Sequence, residues 1–298
     1  MTAIPRFYQP AAVLVAAIAL SPTALLAQGL ETTRISSVVL DVMTFNIRTA
    51  IGRDGDNSWP FRKNLVSETI LDSDPDIVGL QEALAEQIDF LESEMPEYRW
   101  IGVDRGLNGG EGLSEATPIF YKYREMAPIE SGTFWLSDDP NPPTERRRVS
   151  RIVTWARFHL FETRQQVYVY NTHFTLRRGQ RQLQSASQIN AHIADLPRGS
   201  AVLVMGDFNA VAETSETWQV ATSDGLRDAW LVAEHREGPA LTANGFRAPR
   251  QGWEGRIDWL LVGGPIAVDR VETVVNSSNG RYPSDHYPVV ASLLLELP

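Results

Sequence analysis

Asp207 and Asn209 stand two residues apart where the apolar run Val202-Leu203-Val204-Met205 gives way to Gly206. At strand spacing such positions point to one side. A carboxylate and an amide would then project together from the end of a core strand. That pair suits gripping a metal-bound phosphate or orienting a water; it is also the composition of an ordinary Asx-rich turn. The arrangement recurs along the chain. Asn46 closes one apolar run, Gln81-Glu82 another and Asn171-Thr172-His173 a third. Glu115 stands just before a strand-like stretch, Arg151 opens one, Asp258 lies inside one, and Asp285-His286 precede the last. If Glu82, Glu115, Asp207, Asp258 and Asp285 converge, five carboxylates share a pocket. Two unit charges ~4 Å apart repel by roughly 4 kcal/mol at an effective dielectric of about 20, so the cluster calls for a cation. Oxygen donors without cysteine point to a hard ion, magnesium first, manganese or calcium next. Two histidines and two spare carboxylates allow two His–carboxylate pairs, each fixing a tautomer and favouring the charged imidazole. Such imidazoles beside a metal suit a phosphoester transition state. Each residue also has a plainer reading. Glu82 fits the acidic start of a helix, His173 a structural histidine, and Arg146-Arg147-Arg148 a solvated face.

The elements that must position these groups can be read from periodicity. Residues 202–205 form a short, partly β-branched run ended by glycine, which is a buried strand. Alternation predicts further strands over 38–46, 99–103, 116–123, 132–136, 152–160, 166–172, 256–262, 268–275 and 289–295, and a short apolar one over 77–80. Pro60 opens a helix running to Leu71, since proline is tolerated in the first turn. Other helices are expected over 83–95, 177–196, 214–220 and 226–232, and loops over 52–59, 106–112, 137–144 and 242–255. The strands alternate more than they run solidly apolar. That predicts an α+β chain of mixed or antiparallel sheets packed face to face, with helices outside.

The 298 residues are 43% hydrophobic and 21% charged, with a net charge of −10 and a pI near 5.1. Core burial is not limiting at this length. An acidic chain repels the phosphate backbone, which disfavours non-specific nucleic-acid binding unless a local basic patch overrides it. The absence of cysteine excludes disulfides, zinc–thiolate sites and thiol catalysis. Arg6 is the only charged side chain before residue 31, and an alanine-rich apolar run over 11–20 leads to small residues near Ala27. This is the layout of a secretory signal peptide over 1–27, with a domain over 34–298. The apolar run is short for a membrane anchor and meets Ser21-Pro22. Leu25 departs from the small residue usual at that point, so the cleavage position is an expectation only.

Taken in order, the motifs Phe45-Asn46-Ile47-Arg48, Gln81-Glu82, Glu115 before Pro-Ile-Phe-Tyr, Arg151 before Thr-Trp, Asn171-Thr172-His173, Gly206-Asp207-Phe208-Asn209, Ile257-Asp258-Trp259 and Ser284-Asp285-His286 resemble the endonuclease/exonuclease/phosphatase superfamily. The resemblance runs from about Val38 to the C-terminus and implies a four-layer α/β/β/α sandwich, of the deoxyribonuclease I-like kind, with the site at one end. It implies that Glu82 is the principal metal ligand, with Asn46 beside it and Asp285 near the metal. Asp207 would orient or deprotonate the attacking water and Asn209 contact the phosphate. His286 would be the catalytic histidine polarised by Asp258. His173 with Glu115 would form a second pair, and Arg151 would bind phosphate. The implied reaction is metal-assisted in-line attack of water on phosphorus. The substrate class stays open: a small or lipid-linked phosphoester for a secreted or periplasmic hydrolase; nucleic acid, with Arg146–Arg148, Arg151 and Arg177–Arg181 as a basic rim; or a sphingomyelinase-like lipid substrate, with Trp253 at the interface. A catalytically inactive binding protein is the alternative from another class. No obligate protein partner is evident and a monomer is expected.

Overall fold

In the computed structural model, residues 37–106, 114–138, 151–177 and 179–296 are described. The expected signal peptide, the run Arg146–Arg148 and Arg178 lie outside them. In chain order the strands are β1 (Ser37–Asn46), β2 (Ile77–Gln81), β3 (Tyr98–Ile101), β4 (Ile119–Lys122), β5 (Met126–Leu136), β6 (Arg151–Leu160), β7 (Gln166–His173), β8 (Ala201–Asp207), β9 (Arg227–Asp228), β10 (His235–Glu237), β11 (Asp258–Gly263), β12 (Ile266–Thr273) and β13 (Val289–Glu296). The α-helices are α1 (Trp59–Ser73), α2 (Ala85–Glu94), α3 (Gln180–Ala194), α4 (Glu216–Ala221) and α5 (Ala229–Val232).

One sheet has the order β10-β12-β13-β1-β2-β4-β3 and the other β5-β6-β7-β8-β11-β9. Both are mixed: β1 with β2, β10 with β12 and β7 with β8 run parallel, the other pairs antiparallel. Three apolar layers explain the stacking. Leu40, Val42 and Ile77 of the first sheet pack on Val167, Val169, Leu203, Met205 and Leu260 of the second. Met43, Phe45 and Val78, on the first sheet's other face, bury Val66 and Ile70 of α1 and Ile88 and Leu91 of α2. Val202, Val204 and Trp259, on the second sheet's other face, bury Ala186 and Ile189 of α3 and Ala221 of α4. The result is the expected α+β sandwich of four layers.

Several elements differ from the sequence expectation. Residues 226–232 do not form one helix. Arg227 and Asp228 pair with Val262 and Leu261 as an edge strand, and Asp228 then caps the four-residue α5 through Trp230 N at 3.0 Å. Sheet pairing outcompetes local helix propensity there. β5 starts earlier than alternation suggested because Pro128 and Gly132 interrupt the pattern. Proline is tolerated since β5 lies at a sheet edge. At Gly132 a Cβ would come within 2.9 Å of the Trp155 indole nitrogen on β6. The short β10 had no signal in the sequence.

Candidate active site

Side chains two apart share a face of a strand, and the site is where the inward stripes turn polar. The stripe Leu40-Val42 of β1 ends in Thr44 and Asn46, and Leu203-Met205 of β8 ends in Asp207. Val167-Val169 of β7 leads to Asn171 and His173, and Leu260 of β11 is preceded by Asp258. Register brings them level: Asn46 opposes Gln81, His173 opposes Asp207, and Asp207 opposes Asp258. Side-chain hydrogen bonds cross between the sheets here. Asn46 Nδ2 donates to Asp207 Oδ2 at 2.9 Å, and Gln81 Nε2 donates to Asn171 Oδ1 at 2.7 Å. Asn171 Nδ2 in turn serves the carbonyls of Leu80 and Pro118. This amide network fixes the spacing of the sheets directly beneath the carboxylates.

Asp207 is buried. Besides Asn46, its carboxylate accepts the backbone N–H of Asn209 at 2.9 Å, and His173 Nε2 lies 3.4 Å from Oδ2. Burial, with the Asp258 charge, pushes the Asp207 carboxyl up to about 7 against the pull of His286, Asn46 and Asn209. His286 Nδ1 sits 2.9 Å from Asp258 Oδ2, and its Nε2 is 3.9 Å from Asp207 Oδ2. Burial opposes charge on this imidazole, but Asp258, Asp207 and Asp285 outweigh it and raise His286 to about 10. The loop that carries it is tied down by Ser284, whose hydroxyl donates to the Asn46 carbonyl at 2.6 Å. The carbonyl of Asp285 accepts the N–H groups of Asn244 and Gly245. The structure thus brings Asp207, Asp258 and His286 together, with two carboxylates flanking one imidazolium.

Glu82 has a left-handed backbone, φ 60°, which turns the chain out of β2. Its carboxylate accepts Asn46 Nδ2 at 3.2 Å and Thr49 N at 3.0 Å. It is not the acidic start of α2, which begins at Ala85; Gln87 takes the Leu84 N–H there. Between Glu82 and Asp285 lies Arg48, 3.9 Å from the first and 3.8 Å from the second, and doubly bonded to Asp54. Burial, together with the Glu82 charge, raises Asp285 above the usual carboxylate range. Glu82, Asp285 and the side-chain Oδ1 of Asn46, which also accepts the Arg48 N–H at 3.0 Å, offer oxygen donors of the kind a hard divalent ion takes. One guanidinium, already paired with Asp54, leaves the two carboxylates with surplus negative charge. The residues therefore fit such an ion. Asp207, Asp258 and His286 also place one ligand atom each within 4.8 Å of one another, but there the imidazolium supplies the counter-charge.

The expected pairing of His173 with Glu115 is not formed. Glu115 is held by Arg105 at 2.8 Å and Arg151 at 3.6 Å, two guanidinium groups that an imidazole cannot displace from a carboxylate. His173 turns Nε2 toward Asp207, and its buried Nδ1 has no hydrogen-bond partner. Burial and the positive charges of Arg151, Arg105 and His286 hold His173 well below its ordinary value, as a neutral ring. Asn209 does not keep the strand spacing that would set it beside Asp207. β8 ends at Asp207, Asn209 is left-handed at φ 49°, and its side-chain amide donates to the Phe174 carbonyl at 2.9 Å. Its link to the site runs through its backbone N–H on Asp207. Glu115 and Glu82 are neighbours because Ala83 and Ala116 form a β-bridge.

Sequence reasoning passed over Arg62, Arg105 and a role for Arg48. Arg62 is buried in α1 and donates to the carbonyls of Ile47, Arg48, Asn57 and Pro283. Its position between Trp59 and Val66, on the apolar face of the helix, was a usable signal. Nothing local marks Arg105.

The sequence model of the Endonuclease/Exonuclease/phosphatase family matches residues 43–286. Among solved structures, an endonuclease/exonuclease/phosphatase from Bacteroides vulgatus is 32% identical, with 87% of this chain and 100% of that chain covered and a TM-score of 0.79. A mannosyl-6-phosphatase from Bacteroides thetaiotaomicron is 29% identical, with 85% and 99% covered and a TM-score of 0.77. Danio rerio TDP2 with a single-stranded DNA product, at 18% identity, 86% and 98% coverage and a TM-score of 0.66, shares the fold. No curated protein matches the chain at a significant level.

Proposed function

The chain belongs to the endonuclease/exonuclease/phosphatase family of phosphoester hydrolases, and from that premise we propose that it is a magnesium-dependent hydrolase of a small phosphoester. The observation that carries the reading is a buried Asp207 with a proton affinity raised to near neutrality, 3.9 Å from the imidazolium of His286. A general base works best when its pKa lies near the working pH. Asp207, oriented by Asn46 and the Asn209 N–H, takes the proton of the attacking water as its oxygen bonds to phosphorus and the ester oxygen leaves. His286, held by Asp258, faces the charge that develops on the phosphoryl group. Arg151 adds a guanidinium for a phosphate oxygen. Glu82, Asn46 and Asp285 would hold a divalent ion, which would supply Lewis-acid charge neutralisation to the phosphoester. The net charge of −10 and the 29% identical mannosyl-6-phosphatase support a small substrate over a polynucleotide. The reading also takes the mature chain outside the cytoplasm, which its N-terminal composition supports.

The test is an assay of soluble phosphate esters, sphingomyelin vesicles and plasmid DNA across a magnesium titration, for wild type and Glu82→Gln. Chelator-sensitive cleavage of the soluble esters is expected. Glu82→Gln should need on the order of tenfold more magnesium, since it removes one charged ligand. Cleavage that ignores chelator, or an unchanged magnesium requirement, would refute the assignment; preferential cleavage of DNA that falls steeply with salt would replace the substrate class with nucleic acid.

The same site sets a pH dependence. Asp207 is competent only when deprotonated, so at limiting magnesium kcat/KM should climb as pH rises toward about 7 and then level. It should fall again as His286 loses its proton near 10. An acidic limb at the ordinary aspartate value would remove Asp207 as the base.

A further inference from the structure

A cleft of about 1060 Å³ runs along α3 from Gln180 to Ala191, and Arg151 lines it. Arg151 also lies 3.6 Å from Glu115 and feels the charge of Asp207, so cleft and site share a wall. A phosphate alone would fill little of this space; cavities of roughly 300–1,000 Å³ hold whole small ligands.

The lining has a definite chemistry. Gln180, Gln184 and Gln188 recur at the four-residue spacing of one helix face, with Arg177 and Arg181 at the same spacing beside them. Arg177 and Arg181 are exposed, and neither is ion-paired among the described residues. α3 has no acidic residue in its first turn and no side-chain cap, so its positive end is not neutralised locally. Asp138 is the one carboxylate among the described lining residues, and none of these is aromatic. Guanidinium and amide groups donate hydrogen bonds to hydroxyls and oxyanions. Nucleobases, by contrast, are ordinarily held by aromatic stacking.

We propose that this cleft is the leaving-group subsite, and that it selects a polyhydroxylated phosphoester bearing a second anionic group. The proposal rests on the phosphoesterase reading and names its substrate class. Arg151 marks the junction, and Arg181 and Gln184 meet the hydroxyl-rich, charged remainder of the molecule.

Binding and turnover test it separately. The binding probe for the anionic part is myo-inositol hexasulfate, a polyanionic cyclitol ester that carries no phosphoester, titrated by calorimetry into the full chain with magnesium. Wild type should bind it, and Arg181→Glu should raise Kd about tenfold or more by setting a carboxylate against the sulfates. A carboxylate in the first turn of α3 favours the helix, so this variant should fold. Arg236→Glu, on β10, makes the same charge change outside the cleft and should leave Kd within about twofold. No binding by wild type, or equal weakening by both variants, would overturn the proposal. In turnover, the ratio of kcat/KM for fructose 1,6-bisphosphate to that for p-nitrophenyl phosphate should drop about tenfold in Arg181→Glu, mostly through KM; an unchanged ratio would also overturn it. If hexasulfate binding depends on Arg181 while no ester is hydrolysed, the cleft's ligand class stands and the hydrolase reading falls.

Discussion

His286→Ala should lower kcat by about 10²–10⁴, the usual worth of a positioned acid–base group, while the chain stays folded. The imidazolium is the positive charge nearest the Asp207–Asp258 pair, 2.9 Å from one carboxylate and 3.9 Å from the other. Without it the developing phosphoryl charge faces two carboxylates and no counter-charge in this part of the site. The fold survives because Asp207, already raised to about 7, takes up a proton and relieves the repulsion. His286→Asn is the sharper variant, since it keeps a donor toward Asp258 and removes the charge together with Nε2. The measurement is kcat with saturating magnesium, beside near-ultraviolet circular dichroism. A kcat within tenfold of wild type for either variant would mean that His286 only packs the loop.

Arg62→Met should cost about 3–5 kcal/mol of stability, the range for disrupting a buried charged network. The guanidinium donates to Pro283 O at 2.9 Å, Arg48 O at 2.7 Å and Asn57 O at 2.9 Å, and also to Ile47 O. Those carbonyls belong to the turn after β1, the loop before α1 and the loop that carries His286. Methionine fills the volume but leaves the acceptors buried and unpaired, at ~1–3 kcal/mol each before relaxation. Burial lowers Arg62 to about 10, so it is still charged at neutral pH and the loss is that of an ionic donor. At ~2–4 °C per kcal/mol for a chain of this size, the midpoint should fall on the order of 10 °C. Arg62→Lys should recover only part of this, because an ammonium lacks the planar fork. A thermal midpoint unchanged in Arg62→Met would show that the carbonyls find other donors.

Asn46, Glu82 and Asp207 could be found because each sits where an apolar run stops, and Asp258 and His286 because they stand at or just before the start of one; a period of two fixes which side a strand residue faces. The sandwich was legible for the same reason: alternation in β1, β6 and β7 demands one face on a core and another under helices. The boundary of β9 with α5 was not legible, because its strand character comes from β11 alongside it. The partner of Glu115 was not legible either. Arg105 reaches that carboxylate across the bridge that pairs Asp104 with Ala116, Arg151 comes from β6 and His173 from β7, and the two guanidinium groups win. Asn209 shows the limit of the strand rule: Asp207 and Asn209 share a side only while the backbone stays extended, and a left-handed φ ends that at the last step.

By itself, then, the sequence determined the class of fold, the oxygen-rich character of the site and most of its members, since these follow from periodicity and residue type. Only the tertiary structure decided the remaining pairings: Asn46 bridging Glu82 and Asp207, Arg62 binding three loops, and Arg151 shared between site and cleft. Pairing depends on distances between strands of different sheets, and no local pattern encodes those distances.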